Sequence, residues 1–367
     1  MTETAEFAER ALRAHRAMEG AFRRRDGLYR RPGWLGRLGL AEHLWPAERA
    51  FVATLDLAGL PPGLIGDFDR DGALARDLDG LERYWREREL RPAYASDVLG
   101  TPGGGDRYYD DNAWMGLALV QLEHLRPGAG PHGRAAELFD FAQAGWDHRE
   151  DVPSPGGVFW VEQGRGTGRR NHDRNTVSNA PNAELGLHLD EMEGVDRRRS
   201  EAERMHDWVE GALRDADGLY IDRIRGDGST DRARWSYNQG TMIGASLLRA
   251  RAGEDEGEGE GHLERAEQTA RRALSLYAGR YFEQPPAFNA IFFRNLLLLH
   301  TPTSDPQLQA DIIGALTSYA EEAWARRRPD DDLLRGADGA VTLLDQSALV
   351  SVLALPAWAP ADYPRLA

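Results

Sequence analysis

The feature that most constrains this chain is an alternation between two kinds of helical segment. Stretches such as Phe7, Ala11, Leu12, Ala14, Met18 and Phe22, or Leu78, Leu81 and Trp85, put apolar residues on one face and charge on the other. Between them run segments that are apolar nearly all round, rich in small residues, and opened by a polar or aromatic cluster. The anchors of these clusters, Trp45, Asp111, Asn179, Asn238, Asn289 and Gln346, lie 66, 68, 59, 51 and 57 residues apart, an irregular repeat of helical hairpins. Six helices apolar all round have to be enclosed by six amphipathic ones. The pattern therefore predicts an all-α (α/α)6 toroid of six inner and six outer helices, one domain over 1–367, with the inner N-termini converging on one end.

The connections are read from local composition. A third helix is expected from Ala73 to Arg88, and Tyr220 to Arg234 reads as irregular. The Gly-rich, Arg-rich stretch from Gly164 to Asn171 reads as a flexible loop, since its glycines do not link a strand to a helix as dinucleotide binding requires. Gly253 to Gly261, alternating glycine with acids, reads as a solvated hairpin loop.

One inner-helix start carries chemistry. In Tyr108-Tyr109-Asp110-Asp111-Asn112-Ala113-Trp114, two adjacent carboxylates flanked by aromatics sit where a glycine-rich loop hands over to an apolar helix. A cap and a first-turn charge would account for two aspartates there. The repeat of the loop-to-helix pattern and the flanking aromatics favour a site. Two ionised carboxylates about 5 Å apart at an effective dielectric of about 20 repel by about 3 kcal/mol, or about two pKa units. The helix terminus returns only about 0.3 to 1 kcal/mol to each. Repulsion wins, so the pair is expected to hold one acid and one carboxylate at neutral pH, the division of labour of a glycosidase.

Composition removes other chemistries. Cysteine is absent and the 45 basic residues are all arginine, which excludes disulfides, thiolate nucleophiles, Schiff bases and a P-loop lysine. No His or carboxylate cluster has metal-ligand spacing, so neither metal nor cofactor is expected. A net charge of -15 without a basic stripe argues against nucleic acid and anionic membranes as partners. The N-terminus opens with acids and lacks a basic start and apolar run, so a cytoplasmic protein is expected unless a signal peptide has been removed.

With Asp110-Asp111-Asn112-Ala113-Trp114, Ser178-Asn179-Ala180, Tyr237-Asn238-Gln239-Gly240 and Phe288-Asn289-Ala290-Ile291-Phe292-Phe293-Arg294 in order, the chain resembles glycoside hydrolase family 76, the α-1,6-mannanases, from about Trp45 to Leu355. The resemblance implies a retaining endo-α-1,6-mannanase, with Asp110 as nucleophile and Asp111 as general acid/base, acting as a monomer on α-mannan or manno-oligosaccharides. Around the pair, Tyr109, Trp114, Trp160 and Tyr237 are candidates to stack on sugars. Asn179, Asn182, Asn238, Gln239 and, with less weight, Asp222 are candidates to bond hydroxyls. A sugar epimerase on the same barrel would use histidine, but His124, His188 and His300 fall at the opposite ends of the inner helices and only His172 near the right rim. A uronide hydrolase would need a basic pocket, and an inactive sugar-binding homologue would have no use for both aspartates.

Overall fold

The computed structural model describes residues 2–101, 104–164, 171–194, 196–253, 256–336 and 339–367. In chain order its helices are α1 (Glu3–Phe22), α2 (Gly33–Arg37), α3 (Leu44–Ala58), α4 (Pro62–Ile65), α5 (Arg70–Glu82), α6 (Tyr109–Leu125) and α7 (Arg134–Gln143). There follow α8 (Thr176–Glu193), α9 (Asp196–Ala212), α10 (Ser236–Ala252), α11 (Glu256–Tyr277), α12 (Pro286–His300), α13 (Pro306–Arg326) and α14 (Leu343–Ala354). Helices α3, α6, α8, α10, α12 and α14 each pack on the next, and α14 returns to α3, which closes the inner ring. Helices α5, α7, α9, α11 and α13 each pack behind the inner helix before them, and α1 packs behind α14. The chain is thus an (α/α)6 toroid, and the short α2 and α4 are additions to the twelve.

Burial explains the two classes. Inner helix α6 is buried on every face from Asn112 to Leu122, whereas outer helix α13 buries only Leu308, Ile312, Leu316, Tyr319, Ala320, Ala323 and Trp324. Small residues let the inner helices touch. A Cβ at Gly240 would lie 2.8 Å from the Phe292 Cα, and one at Gly116 would lie 2.4 Å from Leu185, so glycine sets the α10 to α12 and α6 to α8 spacing.

Three connections differ from the sequence expectation. Helix α5 ends at Glu82 instead of Arg88, because Trp85–Arg86 (β1) leaves the helix to pair antiparallel with Ala93–Tyr94 (β2), which is pinned by the Asn112 side chain. The acidic glycine run is largely helical. Helix α11 begins at Glu256, and Gly259 sits where a Cβ would lie 2.9 Å from the Ala250 carbonyl oxygen, so glycine allows a tight turn from α10. The stretch from Tyr220 to Arg234 contains a hairpin, Arg223–Ile224 (β4) and Thr230–Asp231 (β5), that adds to Arg174–Asn175 (β3) and roofs one side of the ring. Of the Gly164 to Asn171 stretch, residues 165–170 lie outside the described residues. Among the described residues no helix is long and apolar enough to cross a membrane.

Candidate active site

At the end of the ring where the inner helices begin, a cavity of about 950 Å³ opens to solvent. Asp110 and Asp111 lie in the first turn of α6 and both line it. The N-cap residue, Tyr108, is extended and its side chain does not cap the first amides of the helix, so an aspartate can turn back on them. Asp110 Oδ1 accepts the Asp111 backbone N–H at 3.0 Å, and Asp110 Oδ2 accepts the Trp160 indole N–H at 3.0 Å. Trp160 is held by its own backbone: its N–H donates to Asp173 O and its carbonyl accepts from Tyr109 N–H, each at 3.0 Å.

The two carboxyls differ in electrostatics. Each keeps part of its surface open to the cavity, yet both lie deep enough that desolvation dominates. Burial pushes Asp110 up to about 7, against the pull of Trp160 and the Asp111 amide, while the Asp222 charge adds to the rise. Asp111 lies well above the usual carboxylate range because it is buried, faces the Asp110 charge, and senses Glu48. Among the described residues neither carboxyl forms an ion pair with an arginine. Burial thus holds both carboxyls above the usual carboxylate range, and of the two only Asp110 has N–H donors that favour its anion.

Two walls enclose the pair. One is aromatic: Tyr237 stacks on Phe288 at 3.8 Å between centroids, flanked by Trp114 at 6.4 Å from Tyr237, and by Trp235 and Trp45 at 5.6 and 6.2 Å from Phe288. Arg49, ion-paired to the fully buried Glu48, lies over the Trp114 ring at 5.3 Å. The other wall is polar, with Asp222, Arg223 and Asp231 from the hairpin and His43, Ser96, Asp97 and Asp106 across the mouth. Burial pushes Asp222 up to about 6, against the nearby Arg223. His43 is drawn above its usual value first by its contact with Asp97, against burial.

Trp114, Trp160, Tyr237 and Asp222 from the sequence reading thus share the cavity with the aspartate pair. Five other candidates do not reach it, and each has a structural occupation. Tyr109 is turned into the wall and stacks on Phe141 at 4.6 Å. The Asn179 amide accepts from Val158 N–H at 2.7 Å and donates to the Val158 and Asn175 carbonyls. Asn182 donates to the Tyr109 and Ser178 carbonyls, and Gln239 both accepts from and donates to the Tyr220 backbone. Asn238, fully buried, is directed at Asp222 and favours its ionised form without meeting full hydrogen-bond geometry. Asn179 and Gln239 recur at inner-helix starts because each ties down an incoming loop, and Asn182 ties α8 to the start of α6.

Sequence reading missed His43, Asp97, Ser96 and Trp235. Trp235 was within reach, since it occupies the N-cap of α10 as Tyr108 does that of α6. His43 and Asp97 have no periodic signal; tertiary contact alone brings them to the rim. His172, placed near the rim from sequence, packs against Phe159 at 5.6 Å. His124 and His188 meet at 6.1 Å toward the far end of the ring. Among the described residues no group of three or more His, Cys, Asp or Glu could hold a metal ion.

The sequence profile of glycosyl hydrolase family 76 matches residues 92–341. No curated protein matches the sequence. Among solved structures, the chain is similar to a family 76 glycoside hydrolase from a bovine Bacteroides thetaiotaomicron strain, with TM-score 0.79 and 19% identity over 97% of this chain and 78% of that one. It is similar to an α-1,6-mannanase of Salegentibacter sp., with TM-score 0.74 and 21% identity over 96% and 99%. A variant of that mannanase, inactive through replacement of two consecutive aspartates by asparagine and bound to α-1,6-mannotriose, matches at TM-score 0.74 and 20% identity over 96% and 99%.

Proposed function

The chain belongs to glycosyl hydrolase family 76 and is a glycoside hydrolase, and from that premise we propose that it cleaves α-1,6-mannosidic linkages with retention of configuration, using Asp110 and Asp111. The observation that carries this reading is the pair itself: adjacent carboxyls opening on one cavity, one bound by two N–H donors and the other by none. The donors favour the ionised form of Asp110, and their absence leaves Asp111 its proton. The inactive double-asparagine variant of a similarly folded mannanase adds support.

In the proposed reaction Asp110 attacks the anomeric carbon as the glycosidic bond breaks, and the Asp111 proton passes to the departing oxygen. The ionised Asp111 then takes a proton from water, whose oxygen displaces Asp110 from the covalent ester. Trp160 anchors Asp110 while it changes from anion to ester and back. Trp45, Trp235 and Phe288, part-exposed on the cavity, offer flat apolar faces to a sugar ring, and Asp222 accepts from its hydroxyls.

The test is NMR of products released from α-1,6-mannotetraose. The reading expects the α-anomer to form first, with turnover abolished in Asp110→Asn. Release of the β-anomer first, or a fully active Asp110→Asn, would overturn it.

A further inference from the structure

Beside the mouth of the cavity stands a projection whose composition is unlike the rest of the chain. Residues 23–41 carry six arginines and one acid, Asp26, in a protein of net charge -15. At the tip, the short helix α2 and the turn after it hold Trp34 at 68% and Leu38 at 69% exposure. The neighbouring segment adds Leu90 at 91% and Leu99 at 74%, so four of the five large apolar side chains most exposed among the described residues belong to these two segments.

The two segments are tied together and to the site. Arg31 bonds Asp97 and, at 3.2 Å, His43 Nδ1, and both of those residues line the cavity. Arg83 lies 3.6 Å from Asp26, and its carbonyl accepts the Leu99 N–H at 2.9 Å. Arg24 holds the tip through the Gly39 carbonyl at 2.5 Å. Arg25, Arg30, Arg88 and Arg91 are exposed and have no ion-pair partner among the described residues.

An exposed tryptophan near a sugar cleft suggests a stacking platform, but the leucines and free guanidiniums do not fit that role. Sugars are gripped by flat rings and hydrogen bonds, whereas exposed leucines and a tryptophan on linked segments rich in unpaired arginine match the boundary between acyl chains and phosphates. We propose that this projection docks the enzyme on an anionic phospholipid bilayer, turning the cavity mouth toward glycans that rise from that surface. The chain-wide charge, which argues against such a partner, conceals this local asymmetry.

Co-sedimentation with vesicles of phosphatidylcholine, alone or mixed with phosphatidylglycerol, tests the proposal without turnover, so its failure would leave the hydrolase reading standing. The expected result is binding to the mixed vesicles at low salt that weakens as salt rises, with about fivefold affinity lost per arginine removed. Trp34→Ser/Leu38→Ser and Arg25→Ser/Arg30→Ser should each weaken binding at least tenfold and leave hydrolysis of a soluble manno-oligosaccharide unchanged. The proposal is overturned if wild type ignores anionic vesicles, binds neutral ones equally, or binds as well with either double substitution. It is also overturned if Trp34→Ser raises KM for long soluble oligosaccharides without affecting vesicle binding, which would make the tip a glycan subsite.

Discussion

The ring of inner helices bears carboxyls at the mouth of the toroid, on α6, and deeper within it, on α3 and α8, and the two sets behave differently. At the mouth Asp110 and Asp111 have no cation partner among the described residues and open on a cavity. Deeper within the ring Asp56 is fully buried and bonded to Arg294 at 2.5 Å, with Gln121 joining both and the Trp358 indole donating to the Asp56 carbonyl. Glu184, beside that network, has neither a full hydrogen-bond partner nor a cavity, and burial pushes it up to about 8 against Arg294. A carboxyl bonded to a buried cation serves the scaffold. One without a cation that reaches a cavity can exchange its proton with a substrate. One with neither stays neutral.

Substitutions at the two regions should separate these roles. The largest effect belongs to the mouth: Asp110→Ala and Asp111→Ala should each lower kcat on manno-oligosaccharides by about 10³-fold or more. With an aryl mannoside whose leaving group needs no proton, Asp111→Ala should still release aryl alcohol in a burst, and Asp110→Ala should not. A burst from Asp110→Ala alone would reverse the assignment. In the deeper set, Arg294→Met strands Asp56 and should cost about 3–5 kcal/mol in denaturant unfolding, while kcat per folded molecule holds. Loss of kcat with stability intact would mean the deeper set takes part in chemistry.

Smaller changes sharpen the contrast. Asn179→Ala leaves the buried Val158 N–H unpaired, while the Val158 carbonyl keeps the Ser178 hydroxyl, and should cost about 1–3 kcal/mol of stability with KM unchanged; a raised KM would return Asn179 to the substrate. Trp160→Phe removes a donor to Asp110, so the acidic limb of kcat/KM should move up by about one pH unit. Glu184 offers a stability test. Its native value near 8 exceeds the unfolded one, so the native state holds a proton the unfolded chain has released between them. That contribution is full below about pH 4 and lost as pH climbs through 8, at up to about 1.4 kcal/mol per pH unit. Glu184→Gln, which cannot lose a proton, should match wild type near pH 4 and gain on it toward pH 8 in urea unfolding. Parallel curves would show that Glu184 is ionised in the native state.

Much of this was legible in the sequence. All-round apolar helices admit no stable state but enclosure, so their alternation with amphipathic ones determined the toroid. Adjacent aspartates repel when both are ionised at close range, so Asp110-Asp111 at a helix start marked the place to expect an acid beside a carboxylate, though spacing could not say which was which. Asparagine and glutamine at the other helix starts misled, because an amide that ties a loop and an amide that binds a sugar have the same letter and position. Asn179, Asn182 and Gln239 were settled by which backbone groups the fold left unpaired. His43 meeting Asp97 and Arg31, and Trp160 reaching Asp110 from fifty residues away, depend on ring closure bringing separate loops to one rim. Periodicity reports which face of a helix avoids water; which loops meet above it is decided only when the ring closes.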